Sequence, residues 1–144
     1  MVLRGVLVLE IHQIETFEDV KDETLRYRVK RASTGRSLEC IAKLDGNEVG
    51  LLSLDIGKRP EDLDFIYEVY VLPDHRSKGV GEKLVKYAEC QARSRGCLGI
   101  RLEARAFDHT IDTQWLISWY GKQGYVIAKN SSEYMEKSFS LVSI

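Results

Sequence analysis

Ile66-Tyr67-Glu68-Val69-Tyr70-Val71-Leu72-Pro73, followed by Asp74-His75-Arg76-Ser77-Lys78-Gly79-Val80-Gly81, is the stretch on which the fold turns. From Ile66 to Val71 every residue but Glu68 is β-branched or aromatic, and Pro73 removes the amide a longer ladder would need, so the piece predicts a strand that stops there. Beyond it Val80, Leu84, Ala88 and Ala92 recur with Val85 beside them until Gly96, which predicts an amphipathic helix. Glycines at the mouth of a helix let a ligand approach the backbone, and free amides with the positive end of the helix dipole favour a phosphate there. The loop is neither a Walker sequence nor the three-glycine dinucleotide fingerprint.

On the N-terminal side, Val6 to Ile14 reads as a strand, and Thr16 starts a helix running to about Lys30 with acids in its first turn. Arg31 to Ser37 is a polar loop. Leu38 to Leu44 and Val49 to Ile56 flank Asp45-Gly46-Asn47-Glu48, and Asp-Gly between apolar runs predicts a hairpin. Gly57 to Asp64, with Pro60, connects this hairpin to the central strand. On the C-terminal side, Gly99 to Arg105 alternates apolar and charged residues as a strand does. Asp112 or Thr113 caps a short helix through Trp115, Leu116, Trp119 and Tyr120, which Gly124 ends. Tyr125 to Ala128 and Glu133 to Val142 complete the order β-α-β-β-β-α-β-α-β-β. This is an α/β (α+β) chain of one domain over residues 1–144, with a mixed, mostly antiparallel sheet of about six to seven strands flanked by helices.

Composition excludes several classes. A 44% hydrophobic, 30% charged chain is that of a soluble globular protein, and a formal charge of -1 lacks the basic excess of a nucleic-acid binder. No apolar run approaches the roughly 20 residues of a membrane span, and the start lacks a signal-peptide pattern. Cys40, Cys90 and Cys97, with His12, His75 and His109, stand at no metal-ligand spacing, and an odd cysteine count fits reduced thiols in a cytoplasmic protein.

The spacing Arg76-x-x-Gly79-x-Gly81, after a strand ending Val-x-Pro and before an amphipathic helix, resembles the acetyl-CoA-binding motif of the GNAT superfamily of N-acetyltransferases. Trp119-Tyr120-Gly121-Lys122-Gln123-Gly124-Tyr125 resembles the later Tyr-x-Lys-x-Gly-Phe/Tyr segment of that family, in the right order. The resemblance implies a GNAT-like sheet whose strands around 66–72 and 99–105 splay to admit the pantetheine arm of acetyl-CoA. It also implies a loop in which Arg76, Ser77, Lys78, Gly79, Val80 and Gly81 hold the pyrophosphate. A strand amide near Val69 or Val71 would face the thioester carbonyl.

Acetyl transfer to an amine further needs a proton for the leaving thiolate and a base for the amine. By resemblance Tyr120 is the general acid. Glu68, a charge inside an apolar strand, and Glu103, in Leu102-Glu103-Ala104-Arg105, are the candidate bases; Glu68 is preferred, since Arg101 and Arg105 share a face with Glu103. By the same resemblance Tyr120 and Thr113 contact the cofactor, Thr113 standing in place of the asparagine that the family often carries seven residues before the tyrosine. The loop 106–112, with Phe107, Asp108 and His109, is longer than usual, and the segment between the first two strands is short for the family. The expected function is acetyl transfer to a primary amine of a small molecule. A protein or peptide amine, and a catalytically weak acyl-CoA-binding module, are the alternatives. The strand at Glu133 to Val142 offers an edge for a homodimer.

Overall fold

The computed structural model describes residues 8–32, 36–59, 61–105, 111–129, 131 and 133–139. Seven strands form one sheet in the order β1-β2-β3-β4-β5-β7-β6. They are β1 Leu9–Ile14, β2 Ser37–Leu44, β3 Asn47–Asp55, β4 Asp64–Val71, β5 Gly99–Glu103, β6 Val126–Ile127 and β7 Tyr134–Ser138. Three helices accompany them: α1 Glu23–Ala32, α2 Val80–Ser94 and α3 Thr113–Gly121. Every strand pair is antiparallel except β4 with β5, so the mixed, mostly antiparallel sheet expected from the sequence is present.

The hairpin of β2 and β3 closes in two residues, Asp45 and Gly46, with φ of 51° and 84°. Positive φ at both positions is a type I′ turn, whose twist matches that of the strands. Between β1 and β2 the single helix expected from Thr16 to Lys30 is instead a 3-10 turn at Phe17–Asp19 followed by α1. The cause lies far away in sequence. The Glu48 carboxylate accepts from the amides of Lys21 (2.9 Å) and Asp22 (2.6 Å), so those donors leave no helix running through them. Asp22 then caps α1 by accepting from the Leu25 amide at 2.9 Å.

α1 and α2 cover opposite faces of the sheet. Leu25 and Val29 of α1 pack with Ile41, Leu51 and Tyr70, whereas Val80, Leu84, Val85, Ala88 and Ala92 of α2 pack with Leu52, Leu54, Ile66 and Ile100. A bulge permits β4 to serve both. Ser53 pairs with Glu68 but Leu54 pairs with Ile66, so Tyr67 is the extra residue and the alternation of faces shifts by one. Ile66, Val69 and Val71 thus meet the α2 side while Glu68 and Tyr70 meet the α1 side.

β4 and β5 stay paired only from Asp64↔Ile100 to Ile66↔Leu102, and beyond that point β4 continues to Val71 alone. The two strands part where the sequence resemblance implies. At the closed end, Asp64 is gripped by both Arg95 guanidinium nitrogens and accepts from the Gly57 amide at 3.0 Å, tying β4 to the end of α2.

One expectation about the ends changes. β7 is not an edge. It lies between β5 and β6, and the outer strands are β1 and β6, so the dimer edge expected on the last strand is covered by β5 and, over Met135 and Glu136, by β6. Residues 6–7 of the first expected strand, 140–142 of the last, Gly35, Pro60, and Phe107, Asp108 and His109 of the expected long loop lie outside the described residues.

Candidate active site

The loop after β4 begins with a 3-10 turn at Pro73–His75, and then Ser77 (φ 64°) and Gly79 (φ 81°) both take left-handed backbone. A serine held there is strained, and such strain gathers at ligand sites. Left-handed residues in close succession turn consecutive amides toward one concavity, an anion nest. Gly79 is also the N-cap of α2 and makes no side-chain cap bond. The first-turn amides of Val80, Gly81 and Glu82 therefore lack the usual capping acceptor at the positive end of a 15-residue helix.

Arg76 secures the loop. Its Nε donates to the Val71 carbonyl at 2.9 Å and its guanidinium lies 5.3 Å from the Tyr70 ring centre. Gly81 has a further duty beside the one the loop suggested, since a Cβ there would come within 3.1 Å of the Trp119 indole. Its missing side chain lets α3 close on the start of α2, whereas Gly79 faces open space and needs glycine for its φ.

Beside the unpaired end of β4 lies a cavity of about 690 Å³, bordered by Val69, Val71, Arg76, Ser77, Gly79, Val80 and Gly81 on one side and by α3 on the other. That is the size of a site for a ligand as large as a nucleotide conjugate. Lys78 and Thr113, both expected to contact the cofactor, do not border it. Lys78 is exposed, and Thr113 begins α3 behind Asp112, which holds the N-cap position. His75, Ile111, Trp115, Leu116 and Trp119 do border it, unread in the sequence.

Leu72 donates its amide across to Val49 of β3 at 2.8 Å. Amides alternate in direction along a strand, so those of Val71 and Val69 point the other way, into the splay. These donors have no β5 partner because the pairing has already ended.

A second cavity, of about 60 Å³, opens on the other side of the same junction and is bordered by Glu68, Glu103, Arg105 and Tyr67. Val69, Tyr70, Ile111, Leu116 and Tyr120 border both. The three candidate catalytic residues, Tyr120, Glu68 and Glu103, are thereby gathered around one space.

Tyr120 is 7% exposed, with its ring edge-on to Trp119 and Tyr125 at 4.8 and 5.8 Å between centres. Tyr125 is in turn anchored through its hydroxyl to Glu89 on α2 (3.0 Å), which also accepts from Lys137 at 3.0 Å. Burial, with the nearby Glu68 charge, raises the Tyr120 phenol well above its ordinary pKa, so it stays protonated at neutral pH.

Glu68 has a side chain only 2% exposed and accepts from Arg28 of α1 at 2.5 Å through Oε2. Arg28 was not legible as its partner, being 40 residues away; its guanidinium also stacks 3.7 Å from the Tyr70 ring centre. The other carboxylate oxygen, Oε1, is buried with no hydrogen-bond partner among the described residues. Burial raises the Glu68 pKa and outweighs the opposing effects of Arg28 and Arg31. Glu103 keeps its carboxylate clear of Arg101, which is bonded instead to Glu136 across the β5–β7 pair at 2.7 Å.

Glu68 is one end of a buried polar row. Glu39 of β2 faces Ser53 of β3, which faces Glu68. Burial is the largest influence on Glu39, Asp55 and Glu68 and raises all three; Asp55 and Glu68 raise Glu39 further, while Ser37 and Ser53 oppose the shift of Glu39, Arg36 that of Asp55, and Arg28 and Arg31 that of Glu68. A folded-state pKa above the unfolded one means the folded chain binds more protons in the interval, so stability is complete below the unfolded value and is lost as pH rises through the folded value. The thermal midpoint is therefore expected to climb as pH is lowered from 7.5 toward 5. Glu39→Gln should flatten that slope, and a midpoint that drops steadily over this range would contradict the assignment.

Among the described residues, no group of three or more His, Cys, Asp or Glu side chains is placed to hold a metal ion, and no helix is long and apolar enough to cross a membrane.

The acetyltransferase (GNAT) family model matches residues 6–125. No curated protein matches the sequence at a significant level. Among solved structures, the PaiA N-acetyltransferase of Thermoplasma acidophilum, determined with coenzyme A, superposes with a TM-score of 0.64 at 18% identity over 92% of this chain and 99% of that one. The IAA acetyltransferase of Bacillus cereus gives 0.70 at 18% identity over 92% and 100%. The ribosomal-protein-S18-alanine N-acetyltransferase of Escherichia coli gives 0.69 at 16% over 94% and 97%. At these identities the likeness is one of fold.

Proposed function

Because this chain belongs to the GNAT acetyltransferase family, we propose that it moves the acetyl group of acetyl-CoA to a primary amine of a small molecule by direct attack. The observation that carries this reading is the meeting of a large and a small cavity at Val69 and Tyr120. An acyl donor in one and an amine in the other would bring their reacting atoms together there.

The loop from Arg76 to Gly81 and the first turn of α2 suit a pyrophosphate, and the splay suits the pantetheine arm. The amide of Val69 or Val71 polarises the thioester carbonyl and holds the charge that grows on its oxygen. Glu68, or Glu103 in its place, takes the proton the amine nitrogen sheds as it bonds to the carbonyl carbon. Tyr120 gives a proton to sulfur as the carbon–sulfur bond breaks, so the products are an amide and a free thiol. Tyr120 then recovers its proton from the carboxylate through water. The smaller cavity, about 60 Å³ and bearing two carboxylates, suits the slender end of an alkylamine better than a folded protein surface.

The test is thiol release from acetyl-CoA in the presence of monoamines, diamines, aminoglycosides and a peptide with a free N-terminal alanine. Release with a small aliphatic amine, rising with pH as the amine loses its proton, is the expected result. Turnover of the peptide alone would overturn the small-molecule assignment, and saturable acetyl-CoA binding without release to any amine would favour a binding module.

A further inference from the structure

We propose that Trp115 and Trp119 form a stacking platform for the adenine ring of CoA, an inference that rests on the reading of the larger cavity as the acetyl-CoA site. The two are the chain's only tryptophans. They stand four residues apart on α3, so they share a face, and their rings lie nearly parallel, 16° apart with centres 6.4 Å apart. Both border the larger cavity beside the phosphate loop.

Trp119 is held firmly, edge-on to Tyr120 and against Gly81. Trp115 is 56% exposed. A large apolar ring left that open is unusual where a lysine or glutamate would serve the helix as well. Its position gives it a use. Tyr120 marks the thioester end of the cavity and Gly81, in the first turn of α2, marks the pyrophosphate. Trp119 touches Gly81, and Trp115 lies one helical turn, about 5.4 Å, further from Tyr120 along α3. In CoA the pyrophosphate separates the pantetheine arm from the adenosine, so an aromatic face lying past the pyrophosphate meets the purine. Stacking needs only a π face and no edge contacts, and each indole supplies one.

The chemistry makes the test specific. CoA and dephospho-CoA carry the adenine; 4′-phosphopantetheine keeps the arm and one phosphate but lacks it. Calorimetric titration of the full chain with all three is expected to show that Trp115→Ala weakens CoA and dephospho-CoA on the order of tenfold, while 4′-phosphopantetheine changes by less than about twofold. Trp115→Phe, which keeps a ring, should retain most of the affinity. In the wild type, CoA should change the tryptophan fluorescence, all of which comes from these two residues, more than 4′-phosphopantetheine does.

Equal losses for all three ligands, or no loss for CoA, would overturn the platform while leaving the cavity assignment in place. Failure of the wild type to bind any of the three would overturn the cavity assignment itself, and that is seen before a variant is made.

Discussion

Tyr120→Phe is expected to lower kcat by roughly 10²- to 10⁴-fold, the usual contribution of a positioned proton donor, while CoA binds within about twofold of the wild-type affinity. The substitution is a clean one because the ring's duties survive it. Its edge-on contacts with Trp119 and Tyr125 need only the ring, and the Glu89–Tyr125–Lys137 anchor behind it is untouched. What disappears is one hydroxyl at the junction of the two cavities. Steady-state kinetics with the best amine from the screen, beside calorimetry with CoA, separates the outcomes. A kcat within threefold of wild type would remove Tyr120 from the chemistry and leave it as a wall of the cavity. Because burial and the Glu68 charge hold the phenol protonated well past neutrality, Tyr120 should add no falling limb to the activity between pH 6 and 9.

The parts of this site that could be read in the sequence are those whose cause is local. Pro73 ends β4, the glycine pair opens α2, and Asp45-Gly46 turns the hairpin, each through the conformational limits of the residue itself. The parts that could not be read are made by residues distant in sequence. Glu48 breaks the expected first helix by taking amides 26 and 27 positions away. Arg28 reaches Glu68 from α1, so the buried carboxylate is paired at one oxygen and, among the described residues, without a hydrogen-bond partner at the other. Gly81 reads as a phosphate glycine, and its lack of a side chain also admits Trp119, which lies on α3 and could not be paired with it from the sequence. Arg101 is a neighbour of Glu103 in sequence but is drawn to Glu136 once β7 lies beside β5. In the strand register, pairing chooses the partner; in a one-dimensional pattern only the nearest opposite charge is visible.

Glu68→Gln carries the second large effect and bears on what the Arg28 pair is for. A carboxylate held by arginine is ordinarily a poor base, since the positive charge favours its ionised form. Here burial is the larger influence and moves the Glu68 pKa upward, toward the range in which a base works best at neutral pH. Arg28 grips Oε2, which leaves Oε1, without a hydrogen-bond partner among the described residues, as the oxygen that would take the amine's proton. The glutamine variant keeps the shape and an oxygen for Arg28, but it cannot take a proton. Its rate is expected to fall on the order of 10²-fold, and its pH profile should change form as well as height. The wild type needs both Glu68 and the amine deprotonated and so rises in two steps, whereas the variant should keep only the step belonging to the amine. A purely structural Glu68 would instead lower the thermal midpoint and leave the shape of the profile unchanged. If the profile keeps both steps, the lower one belongs to Glu103, which shares the cavity, and Glu103→Gln in the same background should then remove it.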